Sequence, residues 1–411
     1  MIRILHVADI HLGVENHGRL NPETGLHTRL EDFCRCLDHV IDVALEEGVD
    51  AVLFAGDAYK TIDPTPTQQR ELARRMRRLD GIPIVMVPGN HDAPVAHGKA
   101  SSVDIFGSLG DGMVTVAPIP AIVKVITGGG ILQVACLPWL HRSRLLARPE
   151  YQGLSQAEAQ ETLTRLGADT LERLAAQIDP QHPAVLLAHL AAADATYGGS
   201  ERTAVIGSDP VFQTRTLANQ AFCYVALGHI HKHQDLNPGK QPPVVYPGSI
   251  ERVDFGEEFS QPGACIVEIT GEPGAWQADY RHVASPARPM TTIRTKVEGV
   301  MDPTATILDD IRFSALAGAI VRVIYEAPSG APVDLSSVHA ALEAKGTHYV
   351  ADIKPAPTVQ ARTRRAGISE SVNTLEALKT YLANRDDLNG LAEAMLLRHA
   401  ALEAQAEEVR V

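Results

Sequence analysis

Apolar and polar positions follow two rhythms along this chain. In its first half, short β-branched runs (RILHVADI, DAVLFAGD and IPIVMVPGN) alternate with segments whose apolar residues recur every three to four positions. Phe33, Leu37, Ile41 and Leu45, spaced at i+4, predict one helix, and TPTQQRELARRMRRL predicts another. From about residue 113 the strands crowd together as MVTVA, AIVKVIT and ILQVACLPW. A long helix is predicted near residues 155–178, and AVLLAHL, YVALGHI, PVVYPGSI, ACIVEIT and WQADYRHV follow it. The pattern is α/β, with either a mixed sheet or two sheets stacked between helices.

The punctuation SPARP at 285–289 marks a boundary and leaves a large domain over residues 1–287. Beyond it, strand (MTTIRTKV), helix (TATILDDIRFSA), strand (AIVRVIYEA), helix (VDLSSVHAALEA) and strand (THYVADIKP) predict a small α+β unit over residues 288–356. Residues 357–411 begin with an extended linker, PAPTVQARTRRAGIS entering it, and close with two helical patterns that form a hairpin. Leu375, Leu378 and Leu382 make one apolar stripe of that hairpin, and Leu388, Leu391 and Met395 make the other.

Composition narrows the function. With 411 residues, 45% hydrophobic and 21% charged, the chain can bury a real core in two or three domains. A formal net charge of −13 argues against bulk affinity for nucleic acid or anionic membrane, so a phosphate must be held locally, and metal ions are one means. The five cysteines, Cys34, Cys36, Cys136, Cys223 and Cys265, are scattered without a C-x-x-C pair and predict reduced core residues. Asp9 and His11 interrupt the apolar start, and no run of about 18 apolar residues follows. The expectation is a cytoplasmic protein, neither exported nor membrane-spanning.

Nearly every predicted strand of the large domain ends on a residue able to hold a metal or a phosphate. These are Asp9 and His11 in ADIHLG, Asp57 in FAGDAY, Asn90, His91 and Asp92 in PGNHDA, His189 in LAHL, and His229 and His231 in LGHIH. Loops at strand ends are where α/β sheets place their sites. A lone histidine is more often structural, as expected of His6 inside the first strand; five such segments, each after an apolar run, are hard to reach by chance. His229, His231 and His233 also alternate, and alternate residues of a strand share one face, where they would converge. An imidazole, carboxylate and amide set without thiolate suits Mn²⁺ or Fe²⁺ better than an all-oxygen Mg²⁺ site.

The order D-x-H, G-D, G-N-H-D, H and G-H-x-H over residues 9–231 resembles the calcineurin-like metallophosphoesterases. LHVADIHLG, PGNHD and YPGSIERVDFGEE (Tyr246 to Glu258), with the length and layout, are similar to the SbcD type, the nuclease subunit of the SbcCD DNA-repair complex. The resemblance implies an α/β two-sheet sandwich flanked by helices, a small α+β capping domain, and a C-terminal helical hairpin that docks on a coiled-coil ATPase of the SbcC type. It implies two divalent metal ions, Mn²⁺ foremost with Mg²⁺ or Fe²⁺ as alternatives. Asp57 would bridge them, with Asp9, His11 and His231 on one ion and Asn90, His189 and His229 on the other. His91 would be catalytic without being a ligand, and Asp92 would orient His91 or brace its loop. His233 lies one step beyond the motif and is expected to support a ligand from behind or to face solvent. The implied activity is a two-metal DNA nuclease acting on DNA ends, a double-strand exonuclease and a single-strand or hairpin endonuclease. It would be a cytoplasmic, nucleoid-associated homodimer joined through the early helices.

Three further features carry two readings each. Lys60 stands three positions after Asp57, where some relatives carry a histidine, and a lysine there could meet a phosphate. Arg70 and Arg74 in RELARRMRR, and Arg362, Arg364 and Arg365 in the linker, are either a solvated surface or DNA-backbone contacts. The terminal hairpin either packs on its own domain or docks on the ATPase. Two competing functions share these residues: a phosphomonoesterase or nucleotidase with the same metal core, and a non-catalytic scaffold that keeps the fold.

Overall fold

The β-branched runs become two six-stranded sheets in this computed structural model, which describes residues 1–94, 99–109, 112–198, 209–297, 300–326, 332–356, 382 and 394–399. The first sheet runs, in spatial order, β14 (Gln277–Ala284), β13 (Gly263–Thr270), β1 (Ile2–Val7), β2 (Ala51–Phe54), β3 (Ile84–Met86) and β4 (Val114–Val116). The second runs β11 (Gln234–Asp235), β12 (Val244–Tyr246), β10 (Tyr224–Gly228), β7 (Ala184–His189), β6 (Gly130–Leu137) and β5 (Ala121–Thr127). A short parallel pair, β8 (Ala191–Ala192) with β9 (Val211–Phe212), follows the second sheet's centre. β1, β2 and β3 are mutually parallel, as are β6, β7 and β10. Of the two arrangements the crowded strands allowed, the chain adopts two stacked sheets.

Strand alternation decides which side chains face which layer. Leu5, Val7, Val52 and Phe54 turn outward to Phe33, Leu37 and Ile41 of α1 (Thr28–Glu46). Their neighbours Ile4, Ala51 and Leu53 turn inward and meet Val134, Val185, Leu187 and Ala226 of the other sheet. Leu186, Ala188 and Val225 face outward again, onto Leu171 and Leu174 of α5 (Gln156–Ala175). The central strands are thus buried on both faces, which is why they read as unbroken apolar runs. Leu45, the last member of the α1 stripe, is exposed where the helix runs out at Glu46.

Local signals explain the helix starts. Thr65 and Gln68 form a capping box before α2 (Pro66–Met76), with proline in its first turn, and Ser155 and Glu158 do the same before α5. The short helices α3 (Asp104–Leu109), α4 (Arg142–Leu146) and α6 (Thr214–Leu217) span too few turns for periodicity to reveal.

After the large domain, β15 (Met290–Lys296), β16 (Ile320–Glu326) and β17 (Tyr349–Pro355) form a separate sheet. It carries α7 (Pro303–Phe313) and α8 (Leu335–Ala344) over its own core of Ile293, Ile307, Ile311, Val321, Val338 and Leu342. Phe255, Met290 and Ile320 join this core to the large domain, and Arg288 reaches Asp32 of α1. The chain divides into two compact units, Met1–Lys354 and Pro355–Val411. In the second unit Leu382 is buried and residues 394–399 are helical; Arg362, Arg364, Arg365 and the rest of the predicted hairpin lie outside the described residues. All five cysteines are buried and unpaired. Among the described residues no helix is long and apolar enough to cross a membrane.

Candidate metal centre

The carboxyl ends of β1, β2, β3, β7 and β10 point to one edge of the sandwich, and the predicted site residues leave the strands there. Asp9 and His11 follow β1, Asp57 follows β2, Asn90 and His91 follow β3, His189 ends β7, and His229 and His231 follow β10. The alternation of His229, His231 and His233 is not a strand feature: β10 stops at Gly228 and the three residues occupy the loop beyond it. His229 and His231 turn into the site, whereas the His233 ring stacks on His282, centroids 4.1 Å apart, and its Nδ1 bonds the Tyr246 carbonyl at 2.9 Å. His6 is structural, its nitrogens 3.0 Å from the Tyr224 hydroxyl and 3.2 Å from the Leu227 carbonyl.

Two donor sets meet around Asp57. Ligand atoms of Asp9, His11 and His231 lie within 4.8 Å of one another, with the Nε2 atoms of His11 and His231 3.0 Å apart. On the other side, Asn90 Oδ1 lies 3.0 Å from His189 Nε2 and 3.1 Å from His229 Nδ1. Asp57 Oδ2 stands between the sets, 3.7 Å from His11 Nε2 and 3.4 Å from His189 Nε2. The His189 Nδ1 contact with the Ala55 carbonyl, at 2.7 Å, and the bonds from His229 N to the Asp9 carboxylate, at 3.0 and 3.1 Å, tie one sheet to the other.

The backbone is strained for this purpose. Among the described residues, non-glycine positions with positive φ are Asp9, His11, His17, Asp57 and His229, and four of these five belong to the candidate site. Such conformations cost of order 1–3 kcal/mol each and persist where surrounding structure enforces them. Asp92 supplies part of that enforcement. Its buried carboxylate accepts from the backbone N–H of Asp57 (2.7 Å), Ala58 (3.0 Å) and Gly89 (3.0 Å) and from the Ser102 hydroxyl (3.3 Å). Of the two roles open to Asp92, these contacts are those of a loop brace. The orienting contact on His91 comes instead from the Lys60 carbonyl, 2.8 Å from Nδ1, while the His91 amide donates to Asp57 Oδ1 at 2.8 Å.

The electrostatics fit a cation. Asp9, His11, Asp57, His189, His229 and His231 are all buried. Burial pushes the Asp9 carboxyl up to about 7. Burial opposes ionisation of Asp57 too, but His189 and His11 outweigh it and hold that carboxyl well below the ordinary range. Burial also works against a charged His189, yet Asp57 and Asp9 lift it to about 9, while burial and the neighbouring His189 drive His229 down to about 3. Buried His229 Nε2 and His11 Nδ1 have no hydrogen-bond partner. Buried carboxylates, facing imidazole nitrogens and a carboxamide oxygen make a donor set suited to divalent ions, without thiolate.

A family model of the calcineurin-like phosphoesterases matches residues 2–233. The chain belongs to that family. This phosphoesterase is 29% identical over 316 residues to the SbcD subunit of the nuclease SbcCD from Rhodobacter capsulatus, a match covering 72% of each chain. It is 27% identical over 292 residues to the SbcD subunit of the same nuclease from Bacillus subtilis, covering 67% of this chain and 68% of that one. It is 28% identical over 290 residues to the DNA double-strand break repair protein Mre11 of Aeropyrum pernix, covering 66% of this chain and 59% of that one.

Three residues of the phosphoesterase site escaped the motif reading. Glu257, fully buried, sets Oε1 2.7 Å from His231 Nδ1, with Oε2 accepting from Ser249 Oγ and Val253 N. Asp209 Oδ2 lies 3.7 Å from His229 Nε2, and Trp139 packs its ring 5.0 Å from His229 and 5.9 Å from His189. Glu257 stood in YPGSIERVDFGEE, but nothing in that run distinguishes the inward carboxylate from Asp254 or Glu258. The arginines of α2 are held within the chain: Arg70 and Arg74 pair with Glu71, Arg75 with Glu71 and Asp38, and Arg78 with Asp38 and Asp42.

Proposed function

We propose that this phosphoesterase is a metal-dependent DNA nuclease that cleaves phosphodiester bonds at DNA ends, as a double-strand exonuclease and a single-strand or hairpin endonuclease. The observation that carries the reading is the convergence of two donor sets on either side of one carboxylate, with His91 beside them. Asp57 would bridge two ions, Asp9, His11 and His231 would hold one, and Asn90, His189 and His229 the other. Two divalent ions about 3.5–4 Å apart, Mn²⁺ foremost, would neutralise charge on the phosphoryl oxygens and supply a nucleophile at neutral pH. His91, its Nδ1 held on the Lys60 carbonyl, keeps Nε2 for the substrate; as imidazolium it can stabilise the transition state or protonate the leaving oxygen. The names of the relatives, a nuclease subunit and a break-repair protein, support DNA as the substrate. They also support a coiled-coil ATPase of the SbcC type as partner, docked through the C-terminal helices; homodimerisation through the early helices completes the assembly.

The deciding experiment is degradation of an end-labelled linear duplex by the purified chain with Mn²⁺, beside an EDTA control and His91→Ala. Label released only by the unaltered chain with metal is expected. No release from folded, metal-loaded chain, with hydrolysis of a small chromogenic phosphomonoester instead, would overturn the reading in favour of a phosphomonoesterase. Deleting residues from Thr374 onward should abolish association with the ATPase while leaving basal nuclease activity; retained association would exclude the docking role.

A further inference from the structure

The metal centre opens on one flank into a cleft that none of the site motifs accounts for. Two hollows of about 610 and 360 Å³ share Trp139, Leu140, His141 and Leu163 between β6, α4 and α5. Sites for small organic ligands span about 300–1,000 Å³. Trp139 belongs to both hollows and to the packing of His189 and His229, so the cleft begins at the candidate ligands. Asp209, 3.7 Å from His229 Nε2, lines the smaller hollow at that same end.

Arginine dominates the rest of the lining. Arg142 borders the smaller hollow, and Arg144, Arg148 and Arg173 border the larger one. Arg142, Arg148 and Arg173 are exposed, and among the described residues none of the four arginines forms an ion pair. Arg173 donates only to the Asp169 carbonyl and the Thr170 hydroxyl. The buried Nε of Arg144 and Nε2 of His141 have no hydrogen-bond partner in the wall of the cleft. The contrast with α2 is sharp, because its arginines are already neutralised by Glu71, Asp38 and Asp42. In a chain of net charge −13, unneutralised guanidiniums gathered beside an aromatic ring mark a place for an anion with flat apolar faces. Single-stranded nucleic acid has that chemistry: its phosphates follow cationic grooves and its bases stack on aromatic rings.

We propose that this cleft binds the single-stranded segment adjoining the phosphate at the metal centre, with a base on Trp139 and the phosphates on Arg142, Arg148 and Arg173. The proposal rests on the nuclease reading and adds where the unpaired strand lies. It moves the nucleic-acid surface from α2 to the α4–α5 flank.

The test is binding of a fluorescently labelled 20-residue oligothymidylate to the full chain in EDTA, where no cleavage intervenes, across a range of salt. Replacing Arg142, Arg148 and Arg173 together with glutamine should weaken binding about tenfold or more. It should also flatten the slope of log affinity against log salt by about 2, at roughly 0.7 for each phosphate no longer neutralised. Arg70→Gln with Arg74→Gln should bind within about twofold of the unaltered chain, since those side chains are paired. The reverse pattern overturns the proposal. A readout independent of these variants uses Trp276→Phe, which leaves Trp139 as the sole tryptophan of the two in the chain. Its fluorescence should be quenched by bound oligothymidylate and not by inorganic polyphosphate; equal response to both, or equally tight binding of polyglutamate, would remove the nucleotide from the cleft. Duplex cleavage by the unaltered chain with Mn²⁺ is scored separately. Cleavage with arginine-independent binding overturns this proposal alone, whereas arginine-dependent binding without cleavage overturns the nuclease reading alone.

Discussion

Gly89 shows how little room the candidate centre leaves. A Cβ at this position would collide with the Asp57 carboxylate and its backbone nitrogen, so only glycine lets the loop after β3 close over Asp57. Gly89→Ala should therefore lower turnover by about 100-fold or more while the chain stays folded, since small displacements of a positioned group are enough to do so. Steady-state kinetics beside a circular dichroism spectrum would check it, and unchanged turnover would mean that the loop yields. Glu257 acts from behind His231, where its carboxylate fixes the ring through Nδ1. Carboxylate partners of metal-bound histidines typically contribute 10- to 100-fold in metal affinity. Glu257→Gln should weaken Mn²⁺ binding by about that factor in calorimetric titration, and an unaltered isotherm would dismiss the role. Asp9, His11, Asp57 and His189 were legible because motif and position coincide; Glu257 was not, because burial alone selects it from three nearby acids.

Helix α1 links the large domain to the small module through buried charge. Asp32 pairs with Arg29 at 3.0 Å, Arg35 at 2.8 Å and Arg288 at 2.5 Å, and both Asp32 and Arg29 are fully buried. Burial alone would raise the Asp32 carboxyl, but Arg288, Arg29 and Arg35 outweigh it and hold it below its ordinary value. Because the native pKa is the depressed one, the ionised cluster contributes stability above the unfolded value of about 3.9 and loses it as pH falls through the native value. Removing one partner of a buried pair costs about 3–5 kcal/mol, because the other charge stays behind. Asp32→Ala should lower the melting temperature by roughly 5–10 °C at pH 7, and the difference should shrink as the pH approaches 3. A difference constant down to that pH in scanning calorimetry would show that the contribution is not ionic. The basic face of α2 belongs to the same scale: its sequence advertises charge, while α1 supplies the acids that absorb much of it.

Across the whole molecule the metal centre is a weld between two sheets, since Asp9, Asp57 and Asn90 come from the first and His189, His229 and His231 from the second. Metal bound to the native state alone must stabilise it, by about 4 kcal/mol at a thousandfold excess over the dissociation constant. Chelator-stripped chain should melt several degrees higher on addition of Mn²⁺, and Asp57→Asn should lose most of that response. Equal shifts in both proteins would place the stabilising ion elsewhere.

The sequence by itself determined the strand and helix order, the helix caps and the strand-end residues able to hold metal, because periodicity, capping and composition act over a few neighbouring residues. Only the tertiary structure decided that β13 completes the sheet beside β1 and that His233 turns away from the site. It also selected Glu257 as the residue behind His231, and left the arginines beside Trp139 unneutralised while pairing those of α2. These outcomes depend on which distant surfaces meet. An apolar run specifies that a segment is buried, but its partner is chosen by packing over the whole chain, and a charged residue's role depends on which opposite charge that packing brings near.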